Sequence, residues 1–237
     1  VNPLSGGAVI AAGEGSRLRD LGSSKPLVPV AGIPLIGHAL SNFVAAGMVR
    51  AAVIFNADEE DCAAYVREQF GAFASPLIVR TTASSLESFQ RVLEASPPGR
   101  ILVSTVDAFC PREDFLAFVR AAEALPEEAT VLGVTSFVAD EKPLWVRLGA
   151  EGAVTEIGGT SGDAVTAGLY VVSEEVRRLA ASARFGRLRQ FLAWICREGA
   201  LMRAASIPAV IDVDRPQDLE LAEQLARGTG FAGRAAS

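Results

Sequence analysis

Short apolar runs alternate with longer amphipathic stretches along the chain, the pattern of βα units built around a largely parallel sheet, and the class read from it is α/β. Residues 7–12 predict a first strand, and residues 34–47 a helix that opens with Pro34 in its first turn and stops at Gly47. A strand follows at 51–55, and the acids between Asp58 and Asp61 open the next helix, where carboxylates suit the positive end of the dipole. Strands are predicted at 77–79 and 101–106 with a helix at 84–95 between them, then a helix from Pro111 and a strand at 130–136.

Residues 145–157 break the alternation. Two strand-like runs, 145–148 and 153–157, flank Ala150-Glu151-Gly152 as a hairpin, a small β excursion from the α/β pattern. The glycine-rich segment 158–162 predicts a flexible loop. It leads to a strand at 165–172, helices at 174–181 and 187–198, a last strand reaching Asp214, and a closing helix from Pro216. One domain over 1–228 is expected, with a flexible Gly/Ala/Arg-rich tail over 229–237.

Composition narrows the function classes. A chain of 237 residues, 50% hydrophobic and 21% charged, is long enough for a substantial core. No apolar run approaches the roughly 18 residues of a membrane span, and a secretory leader is not evident, so the expectation is a cytoplasmic protein with no membrane partner. Cys62, Cys110 and Cys196 are far apart and form no CxxC or Cys/His group, which predicts buried thiols. A net charge of −6 argues against nucleic acid as a partner, because a phosphate backbone calls for a cationic face. Nothing in the sequence specifies an oligomeric state.

The most informative stretch is Ala11-Ala12-Gly13-Glu14-Gly15-Ser16-Arg17-Leu18, directly after the first predicted strand, with Lys25-Pro26 eight residues beyond Arg17. Glycines at 13 and 15 let backbone N–H groups turn toward an anion and approach it closely. Arg17, Arg19 and Lys25 against Asp20 make the region cationic within an acidic chain, which suits a polyphosphate. A bare GxG also serves as a simple turn. A dinucleotide fingerprint would need a third glycine where Leu18 stands, and no GxxxxGK[ST] occurs.

These residues resemble the sugar-phosphate nucleotidyltransferase family, whose opening signature is a strand, AAGxGxRL, and a Lys-Pro after a short loop; the likeness continues through Pro29-Val30-Ala31-Gly32-Ile33-Pro34-Leu35-Ile36. Ser24 stands where many members have proline. The resemblance implies a three-layer Rossmann-like (GT-A-like) fold with a mixed, mostly parallel sheet. It also implies an enzyme that moves NMP from an NTP onto a small phosphorylated acceptor with Mg²⁺ and releases pyrophosphate. Residues 11–17 and Arg17 in particular would hold the NTP phosphates, and Lys25 would neutralise charge around the α-phosphate and the acceptor phosphate. Arg17 and Lys25 are thus the candidate catalytic residues.

Carboxylates for a hard cation lie where this chemistry needs them. Asp107 falls just past the strand at 101–106, the edge where open α/β sheets bind ligands, though it could equally cap a turn. Asp212 and Asp214 are two apart on a predicted strand and should face the same side. Asp214 precedes Arg215-Pro216-Gln217 and reads as a helix N-cap closed by Gln217, which leaves Asp212 as the first choice for metal and Asp214 as the second. The family pairs an acid after the central strand with one before the final helix, and Asp107 and Asp212 match.

By the same resemblance, Thr82, Ser84 and Ser85 would face the base and ribose together with Asp107, although Ser84 could simply cap the following helix. The Ser84-Ser85-Leu86 wording is nearer the cytidylyltransferases for phosphocholine or inositol phosphate than the Gly-rich form; mannose-1-phosphate guanylyltransferase-like members are the other near group. Thr166-Ala167-Gly168-Leu169-Tyr170 is similar to the family segment that approaches the acceptor, which makes Gly168, with Lys25, an acceptor contact, with threonine in place of the usual asparagine. His38 lies inside a predicted helix and reads as a packing residue. Two alternatives stay open: a non-catalytic nucleotide-binding or regulatory homologue, and a glycosyltransferase using Asp212-Val213-Asp214 on a nucleotide-sugar. The base and the acceptor are open too.

Overall fold

The structure is a computed structural model that describes residues 4–13 and 24–228. The loop residues Glu14, Gly15, Ser16, Arg17 and Arg19, and the expected tail 229–237, lie outside the described residues. The first half comprises β1 (Gly6–Ala11), β2 (Pro29–Val30), β3 (Ile33–Pro34), α1 (Leu35–Ala45), β4 (Ala51–Phe55), α2 (Glu60–Phe70), β5 (Ala74–Val79), α3 (Ser85–Ala95), β6 (Ile101–Thr105) and β7 (Ala108–Phe109). The second half comprises α4 (Arg112–Ala124), β8 (Thr130–Thr135), β9 (Trp145–Leu148), β10 (Val154–Ile157), β11 (Ala164–Val172), α5 (Glu174–Ser182), α6 (Leu188–Arg197), β12 (Met202–Ser206), β13 (Ile211–Asp212) and α7 (Pro216–Ala226).

The main sheet runs β10-β9-β11-β6-β1-β4-β5, with β8 against β11 and β12 against β8. Strands β6, β1, β4 and β5 are mutually parallel, as are β8 and β12. Strand β11 is antiparallel to both β6 and β8, so the two parallel sets point the same way around one reversed strand. The sheet is therefore mixed and mostly parallel. The β9–β10 hairpin, the expected excursion, attaches through β9 to the start of β11.

Alternation along each strand feeds two layers. In β1, Val9 and Ala11 enter a cluster with Leu40 and Phe43 of α1, Val66 of α2, Phe118 of α4 and Ala222 of α7. Ala8 and Ile10 enter the opposite cluster with Phe89 of α3, Val176 of α5 and Phe191 of α6. Helices on both faces explain why all six residues of β1 are buried, as a doubly covered parallel strand requires. Cys62 and Cys110 are buried and Cys196 half-buried, all free thiols. Among the described residues no helix is long and apolar enough to cross a membrane.

Two sequence expectations shift. The strand read at 77–79 begins at Ala74, and the last strand reaching Asp214 resolves into β12 and the short β13, with Asp214 beyond both. Strand β12 reads Met-Arg-Ala-Ala-Ser, with little β propensity of its own; it forms because its backbone pairs with β8.

Gly7 sets how close α1 lies to the sheet: a Cβ there would sit 2.3 Å from the Phe43 ring. Gly7→Ala is expected to cost about 1–3 kcal/mol by overpacking, seen as a fall in Tm of roughly 2–4 °C per kcal/mol in a chain of this size. An unchanged Tm would contradict this contact.

Candidate functional site

The parallel strands β1, β4 and β6 end at one edge, and their carboxyl ends carry the polar residues. Ala11 is buried at the end of β1, Ala12 is half-buried and Gly13 exposed. The carbonyl of Gly13 accepts a hydrogen bond of 3.3 Å from Asn56 Nδ2, just beyond β4. Asn56 is itself fixed by Glu59, whose carboxylate accepts from the Asn56 backbone N–H at 3.1 Å. Sequence reasoning passes over Asn56, although a buried polar residue at the end of a central strand next to the glycine loop is a recognisable signal.

Asp107 follows β6 in a tight turn whose backbone is shared with the last segment. Its carbonyl accepts from Phe109 N at 2.8 Å and from Val213 N at 3.0 Å. Antiparallel pairing of β7 with β13 sets Asp212 opposite Ala108. Two chain segments far apart in sequence thereby bring Asp107, Asp212 and Asp214 together, with one carboxylate oxygen from each within 4.8 Å of the others.

Lys25 closes the group. It opens a short 3-10 turn, Lys25–Leu27, and is only 7% exposed. Its Nζ donates to Asp107 Oδ2 at 2.7 Å and to Asp214 Oδ1. Burial opposes the ammonium charge, but the carboxylates of Asp107, Asp214 and Asp212 outweigh it and hold the lysine above its usual range. For Asp107 burial pulls upward, yet the Lys25 charge and hydrogen bond prevail and its carboxyl lies below the usual range. Asp212 goes the other way: the Asp107 charge, then burial, push it up to about 8. Its Oδ1 is buried and accepts no hydrogen bond among the described residues. Three hard oxygen donors with one orphaned among them fit a divalent cation.

The capping role read for Asp214 is corrected. The N-cap of α7 is Arg215, and Asp218, not Gln217, closes the box: its Oδ2 accepts from Arg215 N at 2.9 Å and from Asp214 N at 3.2 Å. The longer Gln217 loses this position because Asp218 is buried at the third helical residue, where a short carboxylate reaches the free N–H groups. The Asp214 side chain is thereby not needed for capping and points at Lys25.

The serines and threonine expected at the base are engaged within the protein. Ser84 caps α3 by accepting from Glu87 N at 3.1 Å, the local alternative to a base contact. Ser85 Oγ accepts from Leu188 N at 3.0 Å and ties α3 to the start of α6, and Thr82 Oγ1 bonds Ser88 Oγ at 2.7 Å. His38 packs, its Nε2 bonded to the Val30 carbonyl at 2.8 Å and its ring edge-on to Phe109.

Beside the acids lies a cavity of about 230 Å³, walled in part by Asp107, Asp212, Thr166, Gly168 and Tyr170. Gly168 sits at the register break of β11 with φ +69°, and a Cβ there would meet Thr105 Oγ1 at 2.6 Å and Ala108 Cβ at 2.8 Å. Only glycine allows β11 to bulge against the turn that carries Asp107. Tyr170 is buried, and burial, helped by the nearby acids, pushes its hydroxyl up to about 12, so it remains a hydrogen-bond donor. A wider groove of about 870 Å³ between α3 and α5 contains none of the three acids.

The buried lysine and the carboxylate cluster thus lie at the carboxyl edge of the sheet, where open α/β folds bind ligands. Residues 7–193 match the MobA-like NTP transferase domain, and the chain belongs to that family. It is 30% identical over 252 residues to the "Bifunctional IPC transferase and DIPP synthase" of Rubrobacter xylanophilus, covering 96% of this chain and 53% of the relative. The chain thus spans about half the length of that relative. Among solved structures it is similar in fold to the inositol-1-phosphate CTP transferase from T. maritima, at 19% identity and a TM-score of 0.78 over 96% of this chain and 98% of that one. It is similar too to a UDP-glucose pyrophosphorylase complexed with UDP-glucose, at 12% identity and a TM-score of 0.77 over 96% and 100% of the two chains.

The crowding of the acids has a measurable cost. With its carboxyl raised from an ordinary value of about 3.9 to about 8, Asp212 holds a proton in the folded chain that the unfolded chain releases. Its contribution to stability therefore falls as pH rises from about 4 toward 8. Asp212→Asn is expected to raise the Tm of the metal-free chain by at least about 2 °C at pH 8, with a clearly smaller gain at pH 5 and none below about pH 4. Equal Tm values at pH 8 in chelator would contradict the crowding.

Proposed function

We propose that the chain transfers the nucleotidyl group of an NTP onto the phosphate of a small phosphorylated acceptor and releases pyrophosphate. The observation that carries this is the buried Lys25 set among Asp107, Asp212 and Asp214 at the sheet edge next to a cavity, in a chain of the MobA-like NTP transferase family. An acceptor phosphate oxygen attacks the α-phosphorus, the new phosphoanhydride bond forms, and the bond to the β-phosphate breaks with pyrophosphate leaving. Because the attacking group is already an anion, no side-chain nucleophile or base is required, and positioning with charge neutralisation does the catalysis.

The roles follow from charge and place. The amides of the loop that begins at Ala11, Ala12 and Gly13, with Arg17, bind the triphosphate. Lys25 stabilises charge developing at the α-phosphate, and Gly168 lets the acceptor approach Asp107. Asp107 and Asp212, with Asp214 as a third donor, would hold Mg²⁺, which when bound neutralises phosphate charge. The base-side roles of Thr82, Ser84 and Ser85 reduce to shaping this edge, since their hydroxyls serve the protein's own packing. The names of the relatives favour CTP with inositol 1-phosphate as the first pair to test.

The test is a pyrophosphate-release matrix of four NTPs against sugar, inositol and choline phosphates. One NTP is expected to turn over with a phosphorylated acceptor in the presence of Mg²⁺, and chelation should abolish the signal. Lys25→Ala is expected to lower kcat by roughly 10²–10³, on the order of 3–4 kcal/mol, with circular dichroism confirming the fold. Full activity in that variant would remove Lys25 from the mechanism, and an inert matrix would overturn the proposal.

A further inference from the structure

The cavity beside the acids has a charge problem that the transfer reaction alone does not solve. A phosphorylated acceptor must bring its negative charge next to Asp107, Asp212 and Asp140, which all line the same space. Lys25 offsets this only in part, because its charge is shared with Asp107 and Asp214 and it is not part of the cavity wall. Among the described residues the cations lining the cavity are Arg187 and Arg189.

Both sit at the start of α6, a segment held in place by the bond from Leu188 N to Ser85 Oγ. Arg187 is exposed, and its side chain makes neither a hydrogen bond nor an ion pair among the described residues. Arg189 is steadied by one bond of 3.0 Å from Nη2 to the Lys142 carbonyl. An unpaired guanidinium on the rim of a cavity with an acidic floor is suited to an anion, which it can grip through two parallel N–H donors. Thr135, Thr166 and Tyr170 on the remaining wall add hydroxyls but no further carboxylate.

We propose that Arg187, assisted by Arg189, anchors the phosphate of the acceptor. The inference rests on the nucleotidyl-transfer reading for the use of the anchored acceptor, but not for its binding. With the phosphate on the arginines, the headgroup of the acceptor faces Asp107, Asp140 and Asp212 together with the hydroxyls of Thr135, Thr166 and Tyr170.

The experiment is calorimetric titration of the wild-type chain, Arg187→Gln and Arg187→Lys with inositol 1-phosphate, glucose 1-phosphate, phosphocholine and the NTP, followed by steady-state pyrophosphate release. At least one of these phosphomonoesters is expected to bind the wild type. Its Kd and KM should rise about tenfold or more in Arg187→Gln and recover in part in Arg187→Lys, with NTP affinity held within about twofold. Equal acceptor affinity in wild type and Arg187→Gln, or loss confined to the NTP, would each overturn the anchor. So would a wild type that binds none of these phosphomonoesters. If Arg187-dependent binding occurs and no NTP releases pyrophosphate, the anchor stands and the transfer reaction falls. Turnover with unchanged acceptor KM in Arg187→Gln means the opposite: the transfer reaction stands and the anchor falls.

Discussion

A buried ammonium held by carboxylates organises this protein. Lys25 is tolerable inside the chain only because Asp107 and Asp214 accept its hydrogen bonds, and three acids are tolerable side by side only because Lys25 supplies countercharge. Removing either side leaves buried charge uncompensated, which in comparable sites costs about 3–5 kcal/mol. The surrounding architecture serves this balance. The β7–β13 pairing fixes the turn of Asp107 against Asp212, Asp218 takes over the capping of α7 so that Asp214 can face inward, and Gly168 lets β11 press against the same turn.

How much of this is legible in the sequence depends on whether the deciding contact is local. The α/β class and the positions of β1, β4 and β6 follow from apolar runs that any parallel strand covered on two faces must show. Lys25, Asp107 and Asp212 stand out because each falls at the end of such a run or close to the glycine loop. Asp214 misleads on local grounds: Asp-Arg-Pro-Gln looks like a capping box, and nothing nearby in the sequence says that Asp218 will be buried and claim the free N–H groups. Ser84 as a cap is within reach because its partner is three residues away, whereas Ser85 bonds a backbone group 103 positions later. Arg187 escapes a sequence reading for the same reason, since only the folded sheet brings α6 to the cavity that Asp107 lines.

The two sides of the carboxylate cluster do different electrostatic work. Toward Lys25 the acids are neutralised within the chain, and Asp107 is held in its charged form. Toward the cavity, Asp212 keeps an orphaned oxygen and a raised carboxyl, a local cost that a binding site accepts where a purely structural cluster would have evolved a partner. The orphaned oxygen beside two further carboxylates is what makes this group fit the divalent cation of the proposed reaction.

The contact from Lys25 to Asp214 spans 189 positions, and that from Lys25 to Asp107 spans 82. Closing such long loops costs conformational entropy that the local contacts within βα units avoid. A nascent chain that ends before residue 212 carries the lysine and Asp107 without Asp212 and Asp214. The carboxylate cluster is therefore a property of the finished fold, assembled only when the segment before the last helix returns to the turn of Asp107.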